Sequence, residues 1–369
     1  MVEALYVHIP FCSYKCFYCD FISFTNPEIS HEEYIEFLLK EVSLYTDLSW
    51  DLKTIYLGGG TPSLMDPRLY EKLFKGLSEL VNTDKVEEAT VECNPETYRE
   101  EEFRRIKDIG VNRVSIGVQS FRREGLEALG RRHKVEDALS CIFSAYKAGI
   151  TNINVDLIYG YQGQGIRNLE EELSLLEDLP IKHVSLYLLT PYEDTMLGHL
   201  HAHGRISLPD EDTVADMYTF STEKLRTMGF VHYEVSNFAL DGYECKHNIA
   251  YWIGKEFIGV GVSAWSFSEG VRFGNTKSMR NYTESIKAGR KPIQYEDVLR
   301  DERSLEDFLF TRLRTKWGIP LSYSHLIPED LWEFFERNEE SIRIKEDKMV
   351  LINEILLRVY KNLYNVIRR

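Results

Sequence analysis

The sequence predicts an α/β fold, a partial and open (β/α)6 barrel followed by a smaller α+β domain. Short β-rich runs alternate with longer amphipathic stretches, and this alternation is typical of parallel sheets. Six such units end near residue 190, whereas a closed barrel of this type has eight. The pattern changes after Phe230, so we expect a core over residues 1–235 and a C-terminal domain over residues 236–369.

Six runs rich in β-branched and aromatic residues are the predicted strands of the core. They cover residues 4–10, 53–57, 89–93, 113–118, 152–159 and 183–190. Apolar residues at helical spacing predict amphipathic helices between them, at residues 32–44, 69–81 and 135–148. The residues that follow parallel strands meet at one face of a barrel, where active sites lie, so we expect the functional groups there.

The C-terminal third predicts a mixed module. Residues 232–238 form one more predicted strand, and the chain is helical from Asp301 onward. Residues 341–344 and 349–352 predict a hairpin before a last helix. Helices with a hairpin resemble a winged helix, but the acidic charge favours a packing module over a DNA-binding one.

The composition excludes several classes of function. The chain has 369 residues, a formal net charge of −15 and a pI of about 5.3, which disfavours nucleic acid and anionic membrane surfaces as partners. No apolar run approaches the roughly 18 residues of a membrane span, and no signal peptide is visible. The few cysteines lack obvious pairing, so we expect a cytoplasmic protein.

Half of the six cysteines lie in one short loop, as Cys12, Cys16 and Cys19. Three thiolates at this spacing can bind three irons of a [4Fe–4S] cluster, whereas a fully ligated cluster takes four cysteines. Phe21 stands two residues after the third cysteine, and no fourth cysteine is close. One iron would therefore keep an open position for another ligand.

Two other interpretations of the loop remain. A disulfide would leave an odd thiol, and the other three cysteines are single and distant. Structural zinc usually takes four ligands, so a zinc site would need His8 as the fourth. Both explain the loop less well than a cluster does.

Glu92 and Asp156 stand within apolar, strand-like runs. An isolated buried carboxylate is costly, so Glu92 needs a cationic or hydrogen-bonding partner. A structural ion pair is the simpler explanation for Glu92 alone. Gly58–Gly60 also follow a strand, where glycines allow the backbone to approach a ligand closely, although they often only form a turn.

The cysteine loop carries a family resemblance. Its C-x3-C-x2-C spacing resembles the cluster loop of the radical S-adenosylmethionine (SAM) enzymes. The longer string from Tyr6 through His8, Ile9, Pro10 and Phe11 to Cys12 resembles one branch, the oxygen-independent coproporphyrinogen III oxidases and the HemW heme chaperones. The resemblance implies a radical SAM barrel whose open iron is chelated by the amino and carboxylate groups of SAM.

The resemblance also implies which residues contact SAM. They are Tyr6, Tyr18, Gly59, Gly60, Thr61, Glu92, Gln119, Arg131, Asp156 and Thr190. The glycine motif would hold the SAM amino group and Arg131 would pair with the carboxylate, because guanidinium binds carboxylate in a bidentate way. Asp156 would accept hydrogen bonds from the ribose hydroxyls.

A second string contains His247, Tyr251 and Trp252. From the residues alone, a single histidine is more often structural than a metal ligand, although heme iron is often held by His. The string resembles the HNxxYW motif of the HemW branch, which implies heme binding. Cys245 is a possible second ligand, but a buried thiol is the simpler reading.

Three further histidines alternate at positions 199, 201 and 203. In an extended chain they would face one way and could hold a metal. The segment is short and flanked by glycine, so we expect an exposed loop without a metal.

Three functions agree with these sequence features. The first is a heme chaperone that binds heme and a SAM-ligated cluster and passes heme to an acceptor protein, without coproporphyrinogen oxidase activity. The oxidases usually carry a fourth cysteine where Phe21 stands, and a longer segment before the cluster than the eleven residues that precede Cys12. The second is such an oxidase, and the third is a structural zinc module.

The sequence departs from the family pattern twice. The family commonly has a Pro and Gln pair after Asp-Leu-Ile-Tyr-Gly, and this chain keeps Gln164 without the Pro. Trp265 replaces a usual His and so removes a polar group that the family has at this position.

Overall fold

The core of the protein is a row of six parallel strands joined by helices. The structure is a computed structural model and describes residues 1–367. The strands are β1 (Val2–Ile9), β2 (Trp50–Gly59), β3 (Glu88–Cys93), β4 (Arg113–Gln119), β5 (Asn152–Tyr159) and β6 (His183–Leu188). They lie side by side in chain order. The six predicted strands are therefore confirmed.

Helices connect these strands, and two more follow β6. The connecting helices are α1 (His31–Ser43), α2 (Pro67–Leu80), α3 (Glu100–Asp108), α4 (Arg123–Leu129), α5 (Val135–Lys147) and α6 (Ile166–Ser174), and those after β6 are α7 (Met196–Ala202) and α8 (Glu211–Thr227). Helix α1 begins at Ser30, whose hydroxyl accepts from the Glu33 amide while the Glu33 carboxylate accepts from the Ser30 amide. Helix α2 begins after Asp66 with a proline in its first turn.

The strand predicted at residues 232–238 is wrong, because the chain reverses at Val235 and Ser236. It forms a hairpin of β7 (Val231–Glu234) and β8 (Asn237–Ala239), and β8 pairs antiparallel with β6. No glycine or proline marks this turn in the sequence, so the two short strands resemble one long strand.

The sheet also extends beyond β1. After α9 (Lys246–Trp252), strand β9 (Glu256–Val260) pairs parallel with β1, on the side away from β2. Strands β10 (Trp265–Ser268), β11 (Val271–Asn275) and, after α10 (Met279–Lys287), β12 (Ile293–Val298) continue antiparallel.

Within residues 1–367 the sheet has twelve strands and does not close, as predicted for an open barrel. Its order is β12-β11-β10-β9-β1-β2-β3-β4-β5-β6-β8-β7. Strands on both sides of residue 235 belong to this sheet, and the division of domains at that residue stays a prediction.

The C-terminal module contains α11 (Asp301–Arg312), a small sheet of β13 (Ile319–Pro320), β14 (Phe335–Arg337) and β15 (Ser341–Ile344), and α12 (Ile352–Ile367). The predicted pairing of residues 341–344 with 349–352 is wrong. Strand β15 pairs instead with β13 and β14, because Asn338 forms a tight turn by accepting from the Glu340 and Ser341 amides. Residues 346–351 form a short 3-10 helix leading into α12.

Within residues 1–367, no helix is both long and apolar enough to cross a bilayer.

Candidate cluster and SAM site

A cavity of about 430 Å³ opens at the C-terminal ends of the parallel strands. It is lined by the three loop cysteines and by nine of the ten residues expected to contact SAM. These nine are Tyr18, Gly59, Gly60, Thr61, Glu92, Gln119, Arg131, Asp156 and Thr190. Tyr6 lies behind the wall, where its hydroxyl is 3.1 Å from His8 Nδ1 and its ring stacks on Tyr56. The fold thus collects residues from six sequence regions around one space.

The cysteine loop is anchored at several points by backbone hydrogen bonds. The Cys12 amide donates to the Phe24 carbonyl at 3.1 Å, and the Phe17 amide donates to the Leu129 carbonyl at 3.2 Å. All three thiols are free and partly exposed. Burial raises the pKa of Cys19 to about 11, so its thiol is protonated at neutral pH and metal binding must displace the proton.

The donor set fits a cluster. Cys12 Sγ lies 3.5 Å from Thr61 Oγ1, and Cys16 Sγ accepts from Arg131 Nη1 at 3.4 Å. In the part of the chain that the structure describes, no three His, Cys, Asp or Glu side chains converge on a single ion. A cluster needs no such convergence, because each cysteine binds a different iron.

The glycine loop holds the cysteine loop in place. The Gly60 amide donates to the Ile9 carbonyl at 2.8 Å, and the Thr61 amide donates to the Phe11 carbonyl at 2.7 Å. Gly59 has φ +111°, and a Cβ there would lie 2.5 Å from the His8 ring. A glycine is therefore required at 59 both by conformation and by space.

Two partly buried carboxyls face the cavity. Glu92 Oε1 accepts from the Tyr56 hydroxyl, and Oε2 accepts from the Gly59 amide, both at 2.9 Å. Burial and the nearby Asp156 raise the pKa of Glu92 to about 7. Burial also raises the pKa of Asp156, which accepts from Ser115 and Asn154. Carboxylates are the acceptors that an ammonium group and ribose hydroxyls need.

Arg131 is buried beside the cysteine loop. Its Nη2 donates to Asn94 Oδ1 at 3.0 Å and to the Gly117 carbonyl at 2.9 Å. Its Nε has no partner among the described residues. A buried donor without a partner is costly, and a carboxylate bound at this position would satisfy it.

Gln119 ends β4 in a left-handed conformation, with φ +67°. The turn after it is held by Glu172, whose carboxylate accepts from the Ser120 hydroxyl at 2.8 Å and the Phe121 amide at 2.9 Å. Gln164 also joins this network, because its amide nitrogen donates to Glu172 and its oxygen accepts from the Gly160 amide. Gln164 thus has a structural place in the buried network without the usual proline.

Sequence reasoning missed several residues that line the cavity or support it. Arg113 and Asn248 line the cavity, and Glu172 supports it from behind. A signal existed for Arg113, because it is a charged residue at the start of an apolar strand, as conspicuous as Glu92. No local signal marks Glu172, which stands in an ordinary acidic helix.

The structure places His247 inside the barrel below the cavity, on α9. The side chain is 1% exposed, its Nδ1 lies 2.7 Å from Thr54 Oγ1 and its Nε2 lies 2.7 Å from the Tyr251 hydroxyl. Burial lowers the pKa of His247 to about 3, so the ring is neutral. Tyr251 and Trp252 are partly buried, and Cys245 is a buried thiol.

The alternating histidines at 199, 201 and 203 do not form the expected loop. Residues 196–202 form α7, because Thr195 caps it by accepting from the Gly198 amide at 3.0 Å. All three side chains are exposed. Trp265 lies on β10, stacks on Tyr295 and does not line the cavity.

Comparison with known proteins agrees with this geometry. A profile of the Radical SAM superfamily matches residues 6–176. The chain is 36% identical over 317 residues to the heme chaperone HemW of Lactococcus lactis, covering 86% of this chain and 83% of that protein. The heme chaperone HemW of Bacillus subtilis is 33% identical over 321 residues, covering 86% and 85%.

A solved structure shares the fold. Coproporphyrinogen III oxidase (HemN) from Escherichia coli, a radical SAM enzyme, superimposes with a TM-score of 0.82 at 20% identity. The match covers 97% of this chain and 90% of that chain. At this identity the match establishes the fold, while the sequence relatives establish the family. The chain belongs to the HemW family of the radical SAM superfamily.

Proposed function

We propose that the protein is a heme chaperone, which binds a [4Fe–4S] cluster, SAM and heme and passes heme to an acceptor protein. The similarity to proteins named heme chaperone HemW, over more than four fifths of both chains, is the observation that carries this function. Membership in the radical SAM superfamily implies the cluster and SAM. The unpaired cysteines support a cytoplasmic location, because thiols stay reduced there.

The cavity supports the proposed cofactors through its donor set. Cys12, Cys16 and Cys19 would hold the cluster, whose fourth iron would offer an open position to the amino and carboxylate groups of SAM. Glu92 would accept from the amino group, and Arg131, whose Nε lacks a partner among the described residues, would pair with the carboxylate. Asp156 would accept from the ribose hydroxyls, while Gln119 and Thr190 would line the mouth.

The heme contacts of His247, Tyr251 and Trp252 stay a proposal, and the structure specifies what ligation by His247 requires. Both ring nitrogens are already hydrogen bonded, so binding to iron must exchange the contact with Thr54 or Tyr251. It also requires α9 to open a path to the buried ring. Ligation at this position would thus follow a conformational change rather than a simple docking step.

The cavity mouth offers apolar surface that a flat macrocycle can contact. Phe21, Leu188 and Tyr192 line the mouth and are exposed. Exposed aromatic side chains beside a cavity are typical of ligand-binding surfaces. This feature supports heme binding by the same face that holds the cluster.

A heme titration of the anaerobically reconstituted protein, followed by absorption with and without SAM, tests the proposal. We expect saturable heme binding that weakens about tenfold or more in His247→Ala, the loss of about 1.4 kcal/mol. His199→Ala, in an exposed histidine on α7, is the matched control and should bind heme like the wild type. Equal affinity in both variants removes His247 from the heme site, and no heme binding by the wild type contradicts the chaperone function.

The second candidate is an oxygen-independent coproporphyrinogen III oxidase, which the likeness to HemN brings forward. That likeness establishes the fold alone, and Phe21 stands where the oxidases usually carry a fourth cysteine. Anaerobic incubation with coproporphyrinogen III, SAM and a reductant separates the two functions. We expect no protoporphyrinogen from protein with an intact cluster.

A further inference from the structure

Arg113 occupies a central position on the inner wall of the barrel. Strand β4, which carries it, lies between β3 with Glu92 and β5 with Asp156. The residue is 2% exposed, and it lines the lower part of the cavity. A permanent positive charge therefore stands on the strand between the two strands that carry the cavity acids.

The Arg113 side chain makes no direct contact with an acid. Within residues 1–367 it has no ion pair within 4.0 Å and no side-chain hydrogen bond, and its Nε is buried without a partner. An enclosed charge of this kind is costly unless opposite charges lie near it. Glu88, Glu92 and Asp156 supply those charges from β3 and β5.

The cavity acids in turn have only neutral hydrogen-bonding partners among the described residues. Glu92 accepts from Tyr56 and the Gly59 amide, and Asp156 accepts from Ser115 and Asn154. Arg131, the other buried cation of the cavity, donates to Asn94, Gly117 and Cys16 instead. Arg113 is thus a buried cation of the cavity wall that acts on both acids from the strand between them.

We propose that Arg113 is a positioning residue for the SAM site, whose charge favours the ionised form of the Glu92 and Asp156 carboxyls, the form that accepts hydrogen bonds from SAM. This inference rests on the SAM site of the proposed function. Because Arg113 acts through its charge and not through directed hydrogen bonds, lysine should replace it. A neutral residue of similar size should not.

The charges around Glu92 determine the sign of the pH dependence. Burial and Asp156 raise the pKa of Glu92 to about 7, whereas Tyr56, Gly59 and Arg113 lower it. The other titratable groups near Glu92 are Cys93, next to it on β3, and three tyrosines, Tyr6 on β1, Tyr187 on β6 and Tyr251 on α9. Burial raises the pKa of each of them, so all four stay neutral in this range. Loss of the Arg113 charge therefore raises the pKa of Glu92 further, and the acid is protonated at neutral pH.

The test is equilibrium binding of SAM to anaerobically reconstituted protein between pH 6 and pH 9. The wild type, Arg113→Lys and Arg113→Gln are compared, with Arg104→Gln, an exposed arginine on α3, as control. If the pKa of Glu92 rises by one unit, Arg113→Gln should bind SAM about fivefold more weakly at pH 7 and like the wild type at pH 9. The titration of SAM itself is common to all variants and cancels in the comparison.

Two results overturn the inference. One is an Arg113→Gln affinity that equals the wild type at pH 7, or that is reduced by the same factor at pH 7 and pH 9. The other is an Arg113→Lys variant that loses affinity at pH 7, and this result decides the question even if Arg113→Gln does not fold. If the wild type binds no SAM at any pH, the proposed function itself fails, and this inference fails with it.

An infrared titration of the protein without SAM gives an independent readout. The protonated carboxyl band that is absent from Glu92→Gln should appear at a higher pH in Arg113→Gln than in the wild type and in Arg113→Lys. An identical titration of this band in all three proteins contradicts the proposed role of Arg113.

Discussion

The barrel interior is polar at its upper end, where the parallel strands end, and at its lower end, where they begin. The two ends differ in whether their polar groups have hydrogen-bonding partners. At the upper end, three free thiols and the unpartnered Nε of Arg131 line an open cavity. At the lower end, His183 and His247 have partners on both ring nitrogens. Polar groups that satisfy one another hold the fold together, and polar groups left open at a cavity bind ligands.

Arg113 is an exception at the lower end, because its Nε has no partner in the described part of the chain. Arg113 lines the cavity, and it also lies at the lower end because it is the first residue of β4. The proposed electrostatic role connects the two regions.

Cys16→Ala gives the largest expected effect at the upper end. Removal of one of three cluster ligands should abolish stable iron and sulfide loading after anaerobic reconstitution, because the loop has no fourth cysteine to replace it. Cys141→Ala, in a buried free cysteine on α5, should load like the wild type. Iron and sulfide analysis measures both, and full loading of Cys16→Ala would rule out a thiolate role for that residue.

Glu88→Ala, at the lower end, should give the second-largest effect. Glu88 accepts from the Cys245 thiol and from the Lys246 and His247 amides at the start of α9, and the contacts with Cys245 and His247 are buried. Truncation leaves these donors unsatisfied, so unfolding in denaturant should show a loss of about 3 kcal/mol. Glu87→Ala removes only an exposed pair with Lys246 and should cost less than about 0.5 kcal/mol. Similar losses in the two variants would show that Glu88 does not hold α9.

His247 gives a smaller effect that depends on pH. Burial lowers its pKa to about 3, so the folded protein does not bind a proton at His247 between pH 7 and pH 5, whereas the unfolded chain does so below about 6.5. Its contribution to stability is therefore complete above pH 6.5 and decreases as the pH falls. The difference in unfolding free energy between the wild type and His247→Phe should shift by about 2 kcal/mol against the wild type from pH 7 to pH 5.

Urea unfolding at the two pH values measures this shift, and the subtraction cancels the other titrating groups. A difference that does not change with pH would mean that His247 titrates in the folded protein as it does in the unfolded chain. This result would remove the contrast between the two ends of the barrel.

The sequence predicted the parts of the molecule that depend on local patterns. The six core strands follow from apolar runs, and the cysteine loop follows from its spacing. The β7–β8 hairpin was missed because its turn at Val235 and Ser236 contains no glycine or proline, and α7 was missed because a short capped helix resembles a loop.

The sequence did not predict the contacts between distant parts of the chain. Thr54 and His247 are separated by 193 positions but meet at 2.7 Å, because α9 packs against β2. A local sequence pattern does not show this pairing. In the sequence, a histidine that hydrogen-bonds to its neighbours therefore cannot be told from one that binds a ligand. The motif indicated that His247 matters, but only the fold shows what it touches.

The most direct measurement is an anaerobic EPR titration of the reduced, reconstituted protein with SAM. We expect a [4Fe–4S] signal that requires Cys12, Cys16 and Cys19 and that changes when SAM binds the open iron. Zinc in place of iron and sulfide, or a cluster signal that SAM leaves unchanged, would contradict a SAM-binding cluster at this cavity.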